Sequence, residues 1–372
     1  MKNMGKMMVK ILMILGGLGK EGITNSVLTY LENIDMSDLD ITLGIAGEAE
    51  NTAFERAKRI GIKIKFLPGR NVKPIKYFCV LSRLVRKENY DIVHVHGNSA
   101  TLGIDMLAAQ IGGARIRIAH SRNTSCTHPI MDKLARPLFN CTYTDGFACG
   151  EEAGKWLFGD KPFTVMPNGK NVDRFLFQQE KRDELRKKYQ VQDKIVIGHA
   201  GVFNDQKNHK YLICIFNELC KRHENYELWL MGADGGTLQN IKQQIKENGL
   251  ENKVRFIGYQ PNVEDYLCAM DIMVFPSLYE GLPNVVVEWQ ISGLPCYLSD
   301  TITRECCVMD NVKYLPLDAD VGRWVEAIEH CRIEDRNAGR LRIKERMGNA
   351  GFDIKQDAEK LRQMYLKLGG NQ

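Results

Sequence analysis

Long apolar runs are missing from this sequence of 372 residues. The longest, Ile11 to Leu15, stops at Gly16-Gly17, far short of the roughly 20 apolar residues that a bilayer span requires. It follows Lys2, Lys6 and Lys10 and so mimics a secretion signal, but no small-residue cleavage site follows it, and the glycines suit a loop better. The eleven cysteines, an odd number, include no C-x-x-C pair, and only Cys306 and Cys307 are close in sequence. Neither a disulfide framework nor a zinc ribbon is indicated, and a reducing cytoplasm is the expected setting. Single-residue tracts, a glycine period and solenoid repeats are also absent, which excludes collagen-like, low-complexity and repeat architectures. What remains, 44% hydrophobic and 26% charged, is an ordinary globular chain, long enough for two domains at roughly 100 to 200 residues each.

Acidic residues are absent from Arg56 through Lys87, a stretch holding eleven basic ones. After Pro74 this stretch turns helical, with Phe78, Leu81, Leu84 and Val85 on one face and Lys76, Arg83 and Lys87 on the other. A solvated basic face is the plain reading. Contact with anionic lipid headgroups or a phosphate-bearing acceptor is the functional one. Nucleic acid is disfavoured, since neither an aromatic ladder nor a zinc finger accompanies the charge.

Short β-branched runs bounded by Gly, Pro or Asp alternate with amphipathic stretches: Val9–Leu15, Ile41–Ile45, Ile62–Leu67, Ile92–Val95, Ile116–Ala119, Gly146–Cys149 and Thr164–Met166. A second series runs from Ile195–His199 through Glu227–Met231, Val254–Ile257, Ile272–Pro276 and Pro295–Ser299 to Lys313–Leu315. Buried strands alternating with helices predict two doubly wound parallel sheets. The turn Pro167-Asn168-Gly169 and the charged helical stretch from Gln178 to Tyr189 put the boundary near residue 175, with a strandless final helix from Asp353 to Leu368. Residues 1–175 carry a net charge of +7 and the remainder −2, so the first domain holds the cationic surface.

The first strand runs into Gly17-Leu18-Gly19-Lys20-Glu21-Gly22 and then a helical stretch. A G-x-G-x-x-G in that setting lets backbone approach a pyrophosphate, with Glu48 as a late candidate for ribose; a dinucleotide and some other phosphate contact both fit. A Walker A loop is excluded, because Glu21 follows Lys20 where a Ser or Thr must bind magnesium. His94, His96 and His120 gather at predicted strand ends, where open α/β sheets bind ligands. In principle they could hold a metal, though core or loop histidines are the default for His94 and His96.

The second domain opens with a strand, Gly201 and Lys207 before a helix, a lysine that could reach a phosphate at the helix start. The segment from Phe275 to Asp300 is the most informative. Glu280 and Gly281 occupy a loop, Pro283 suits a first helical turn, and Gly293 marks the end. Free amides near Gly281, Leu282 and Asn284 would face an anion or sugar hydroxyls. Glu288 lies five residues past Pro283, about 7.5 Å along the axis. Its neighbours Val285, Val286 and Val287 make the helix apolar nearly all round, so this carboxylate needs partners that a ligand could supply.

The run from Glu280 to Glu288, E-G-L-P-N-V-V-V-E, resembles the E-x7-E pattern of retaining glycosyltransferases of the GT-B fold, family 4. RIAHSRNT, PNGKNVDRF, IGHAGVFNDQKNH, FIGYQPNVEDYLCAMDIMVFPS and LSDTITRE resemble segments of bacterial exopolysaccharide and capsule enzymes in the same order, so the resemblance covers nearly the whole chain. It implies two Rossmann-like α/β domains facing across a cleft: residues 1–175 on the acceptor side, with 353–372 crossing back, and residues 176–352 binding the nucleotide sugar. By resemblance His120 and Glu280 are catalytic, Glu280 holding the donor sugar's hydroxyls and His120 lying near the anomeric carbon. Gly22, Lys207, Gly281, Leu282, Asn284 and Glu288 bind the donor, with Lys207 and the amides on the diphosphate and Glu288 on the ribose. No cofactor and no metal are implied, since the lysine and helix dipoles stabilise the leaving group.

The implied activity is transfer of a sugar, with UDP as the favoured carrier, to a lipid-linked or glycan acceptor in surface polysaccharide synthesis. The implied setting is the cytoplasm, peripheral on the inner face of the membrane. Three positions depart from the pattern: Val202 replaces a basic residue, Glu21-Gly22 replaces Gly-Gly, and Arg122 replaces a histidine. A lost charge-assisted phosphate contact costs roughly 1.5 to 3 kcal/mol unless Arg122 or another residue supplies the charge. These departures keep open a non-catalytic sugar-nucleotide-binding partner of another transferase. A nicotinamide-dependent oxidoreductase rests on the Gly17–Gly22 fingerprint alone.

Overall fold

The computed structural model describes residues 8–19, 22–318 and 320–370. Lys20 and Glu21, named above for the glycine loop, lie outside them, as do Lys2 and Lys6. The chain forms two compact units, residues 1–170 with 351–372, and residues 171–350.

The first unit is a seven-stranded sheet of β1 (Val9–Leu15), β2 (Leu39–Ile45), β3 (Lys63–Phe66), β4 (Ile92–Gly97), β5 (Ile116–Ser121), β6 (Asp145–Ala148) and β7 (Thr164–Val165). Its order is β3-β2-β1-β4-β5-β6-β7, and every pairing is parallel. β1 is the apolar run that imitates a secretion signal. It pairs with β2 and β4, and Ile11 through Leu15 are buried. Helices cover both faces, as a parallel sheet requires.

The second unit is a six-stranded parallel sheet of β8 (Ile195–Ala200), β9 (Tyr226–Met231), β10 (Val254–Phe256), β11 (Ile272–Phe275), β12 (Cys296–Ser299) and β13 (Val312–Leu315), ordered β10-β9-β8-β11-β12-β13. Each sheet reverses its winding once, between β1 and β4 and between β8 and β11. Loops diverge at such a switch point, and a crevice opens at the carboxyl ends of the strands.

The division falls at residue 170, before the expected 175. Lys170 makes a parallel bridge to Asp353 inside the first unit, with Ile354 donating to its carbonyl at 3.0 Å. The next turn, Val172–Phe175, belongs to the second unit: Asp173 pairs with Lys344 at 2.5 Å and Arg174 with Glu264 at 2.7 Å. The final helix, Ile354–Gly369, returns to the first unit with Ile354, Ala358, Leu361 and Tyr365 buried in its core. That spacing of four, three and four residues is one helical face. All eleven cysteines are unpaired, and among the described residues no helix is long and apolar enough to cross a membrane.

The helix Pro74–Glu88 has the apolar face that its periodicity predicts. Leu81 and Val85 are buried against the sheet and Phe78 and Leu84 pack beside them, so its regular apolar face is spent on the core.

Asp357 sits buried at the start of the returning helix, and its Oδ2 has no hydrogen-bond partner. Burial raises its carboxyl to about 8, the nearby Lys360 opposing the shift. The folded state thus holds a proton that the unfolded chain releases near roughly pH 3.9, and stability is lost as pH rises through the folded value. Asp357→Asn removes that loss. In thermal unfolding the variant melts above the native protein at pH 9 and alongside it at pH 4.

Candidate active site

In the second unit the switch point brings together loops that are distant in sequence. Past β8, the Asn204 side chain accepts from the Lys207 amide at 3.1 Å and caps the short turn Asp205–Lys207. Lys207 folds back over Gly201, where any side chain would meet its methylenes at 3.1 Å. Its ammonium lies 4.7 Å above the Phe275 ring, the last residue of β11. Past β11, the loop delivers Glu280, which pairs with Lys207 at 2.6 Å with both side chains largely buried. The two residues assigned to separate donor contacts are therefore partners of each other.

The helix Asn284–Ile291 follows, with Pro283 as its N-cap rather than inside its first turn, and Gly293 just beyond it at φ +74°. Among the described residues the amides of Gly281, Leu282 and Asn284 have no acceptor, as expected for a helix start that awaits an anion. The Asn284 Oδ1 is also buried and unpartnered. Glu288 is half-buried one turn further along.

Sequence reasoning missed three side chains here. His199 is the penultimate residue of β8, fully buried, with Nδ1 on the Val274 carbonyl at 2.9 Å and Nε2 unpartnered. His209 packs edge-on against it with ring centroids 4.5 Å apart. Burial, with Lys207 adding to it, holds His209 down at about 4, so both rings face the pair as neutral groups. Gln290 anchors the helix: its Nε2 donates to the Cys306 carbonyl at 2.7 Å while its Oε1 accepts from Val308 and Met309. A histidine and an amide inside apolar runs are the signals that could have flagged them. A cavity of about 390 Å³ lies at the other end of this sheet, beside Pro295 and Asn311, and shares no residue with the pair.

In the first unit, His94, His96 and His120 share one buried cluster, their ligand-capable atoms within 4.8 Å of one another. His94 Nδ1 contacts the Tyr365 hydroxyl at 2.6 Å, and its Nε2 meets His120 Nδ1 at 3.1 Å. Arg122 donates from Nε to His96 Nδ1 at 3.1 Å and from its terminal nitrogen to Asn168 Oδ1 at 2.8 Å. With Nδ1 accepting, the neutral His96 ring carries its proton on Nε2, and a guanidinium beside the cluster repels a cation. The arrangement suits hydrogen-bonded neutral rings better than metal ligands. Burial first, then Arg122, holds His94 down at about 3 and His120 well below its usual range. Arg122 serves as a clamp between the end of β5 and the 167–169 turn.

Gly22 is exposed at the first position of its helix. The glycine loop is stitched to the loop after β2, with Leu18 donating to the Glu48 carbonyl at 2.8 Å. Glu48 takes part through its backbone, and any side chain on Gly47 would strike the Gly16 carbonyl.

Residues 181–343, which hold Lys207, Glu280 and Glu288, match the family model described as Glycosyl transferases group 1. Over that segment the chain is similar to the group 1 glycosyl transferases. EpsF of Bacillus subtilis (strain 168), named as a glycosyltransferase, is 29% identical over 371 residues, 96% of each chain. An Escherichia coli UDP-Gal:alpha-D-GlcNAc-diphosphoundecaprenol alpha-1,3-galactosyltransferase is 24% identical over 318 residues, 80% of each. Among solved structures, Anabaena HepE in complex with UDP matches at a TM-score of 0.79 and 16% identity, covering 96% of this chain and 100% of its own. The lipopolysaccharide outer core galactosyltransferase WaaB matches at 0.67 and 14%, over 96% of this chain and 99% of its own. The likeness to these structures is one of fold, and it extends over both Rossmann-like units.

Tyr365 reaches His120 only through His94, so Tyr365→Phe leaves a buried imidazole nitrogen unpartnered. The expected cost is roughly 1 to 3 kcal/mol in urea unfolding. Combining it with His94→Phe costs less than the sum of the two single changes.

Proposed function

We propose that this glycosyltransferase moves a sugar from a nucleotide diphosphate, UDP by preference, to a lipid-linked or glycan acceptor of surface polysaccharide, with retention of configuration. The observation that carries the reading is the Lys207–Glu280 pair at the switch point beside three unsatisfied amides. A diphosphate arriving there takes hydrogen bonds from Lys207 and from the amides of Gly281, Leu282 and Asn284. Glu280, relieved of part of its partner, accepts from donor-sugar hydroxyls. Glu288 accepts from the ribose. Negative charge grows on the leaving diphosphate as the sugar–oxygen bond breaks, and the lysine and helix start meet that charge without reorganising. The leaving phosphate takes the acceptor's proton, and no covalent nucleophile is required. His120 is retained as the catalytic histidine of the first unit.

Two relatives support the carrier and acceptor: HepE was solved with UDP, and the E. coli enzyme's name states a UDP-sugar donor and a diphosphoundecaprenol-linked acceptor. A lipid-linked acceptor places the work at the inner face of the membrane. We further propose that catalysis needs no metal, because Lys207 supplies the charge a cation otherwise would.

Titration with UDP-sugars without added metal should raise the melting temperature by the ligand-linkage amount, and Glu288→Ala should abolish that shift. Lys207→Ala should lower kcat/KM by roughly tenfold to 150-fold, equivalent to about 1.5 to 3 kcal/mol. Transfer should persist in a chelator; loss of activity there, restored by a divalent ion, rejects the metal-free clause. Val202, exposed where the family resemblance places a basic residue, favours one second reading, a sugar-nucleotide-binding partner without turnover. Donor hydrolysis abolished by Glu280→Gln would reject it.

A further inference from the structure

Of the eight large apolar side chains exposed among the described residues of the first unit, five collect at the starts of two helices, the others being Met8, Phe66 and Ile111. Val72 and Ile75, 79% and 81% exposed, stand at the start of the helix Pro74–Glu88. Ile130, Met131 and Leu134, between 55% and 76% exposed, stand at the start of the helix Pro129–Thr142. On the second helix the pattern continues outward: Ile130, Leu134, Pro137 and Cys141 are all exposed at intervals of four, three and four residues. This apolar stripe faces away from the core.

Both helices lie on one face of the sheet, since Tyr77, Leu81 and Val85 of the first and Phe139 of the second are buried in the same cluster. The helix Gly103–Gly112 runs between them, Gly112 tight against Val85 and Gly103 tight against Phe139. Each flanking helix follows a strand of a parallel sheet, β3 and β5. Their first turns therefore stand at the same edge, about two helix spacings or roughly 20 Å apart.

The charge around these turns has one sign. Lys73, Lys76 and Lys133 are exposed, and among the described residues none has a carboxylate partner. Arg83 and Lys87 continue the exposed cationic face. The one acidic residue between Asn123 and Thr144 is Asp132, which is buried and bound to Arg136 at 2.9 Å. Two apolar knobs at one edge, set among unpaired cations, complement a flat surface that is negatively charged outside and apolar beneath.

We propose that the first turns of Pro74–Glu88 and Pro129–Thr142 form a membrane-docking surface for an anionic lipid bilayer. Val72, Ile75, Ile130, Met131 and Leu134 insert among the acyl chains, and Lys73, Lys76 and Lys133 meet the headgroups. This deepens the reading of a lipid-linked acceptor, and its test uses neither donor nor acceptor, so the two ideas fail separately.

The test is co-sedimentation of the full chain, at low salt, with vesicles of phosphatidylcholine alone or mixed with phosphatidylglycerol. Binding to the mixed vesicles is expected. Each charge reversal among Lys73→Glu, Lys76→Glu and Lys133→Glu should lower the partition coefficient roughly fivefold or more. Ile130→Ser with Leu134→Ser should abolish binding while leaving the circular dichroism spectrum and UDP-sugar affinity unchanged. Lys187→Glu with Lys246→Glu, on exposed positions of the second unit, should change little. The proposal is overturned by failure to bind the mixed vesicles, or by binding that the serine pair leaves intact. Self-association in sedimentation equilibrium that the serine pair abolishes, without vesicle binding, would assign the surface to a second copy and likewise overturn it.

Discussion

Everything at the candidate site depends on where each parallel sheet changes its winding direction. Strands that all run one way must be joined by crossovers, and the crossovers after β8 and β11 leave on opposite faces of the second sheet. Only there can two loops part and leave backbone amides facing open space. Lys207 and Glu280 are 73 residues apart in sequence, yet each occupies the first loop after one of the two strands beside this parting. The first unit repeats the device between β1 and β4, where the glycine loop and the histidine cluster stand at the corresponding strand ends.

Within that frame, charge is placed sparingly and compensated at once. Lys207 and Glu280 neutralise each other, and Asp271 holds both Arg182 and Arg186 beneath the same sheet. Arg336, buried with no carboxylate in contact among the described residues, spreads its charge over the carbonyls of Leu267, Cys268, Met270 and Ser292. A buried ion stripped of its partner is costly. Substitutions at the pair therefore affect folding as well as chemistry, and ligand affinity distinguishes the two.

The thirteen strands among the described residues were legible, because buried parallel strands leave short β-branched runs between glycines and prolines, and their limits fall within a few residues. The Glu280 loop and the helix after it were legible for the same reason: turn chemistry is local. What stayed hidden was pairing across the sheet. Neither the partnership of Lys207 with Glu280 nor the clamp from Arg122 to His96 and Asn168 leaves a local signature, since each joins residues that only the strand order brings together. The face of Pro74–Glu88 shows a related gap. Its periodicity was plain, but periodicity alone does not say whether an apolar face meets the core or a lipid. Only packing revealed that Leu81 and Val85 are enclosed while Ile75 is left outside.

The final helix has a consequence for the order in which the molecule is made. Tyr365 closes over His94, and Ile354, Ala358 and Leu361 cover the first sheet's core, yet all four emerge from the ribosome after the entire second unit. Domains usually fold as they emerge, amino-terminal first. Here the earlier unit waits with an apolar face uncovered while the later one is completed, and neither its core nor the histidine network is whole until the returning helix has followed.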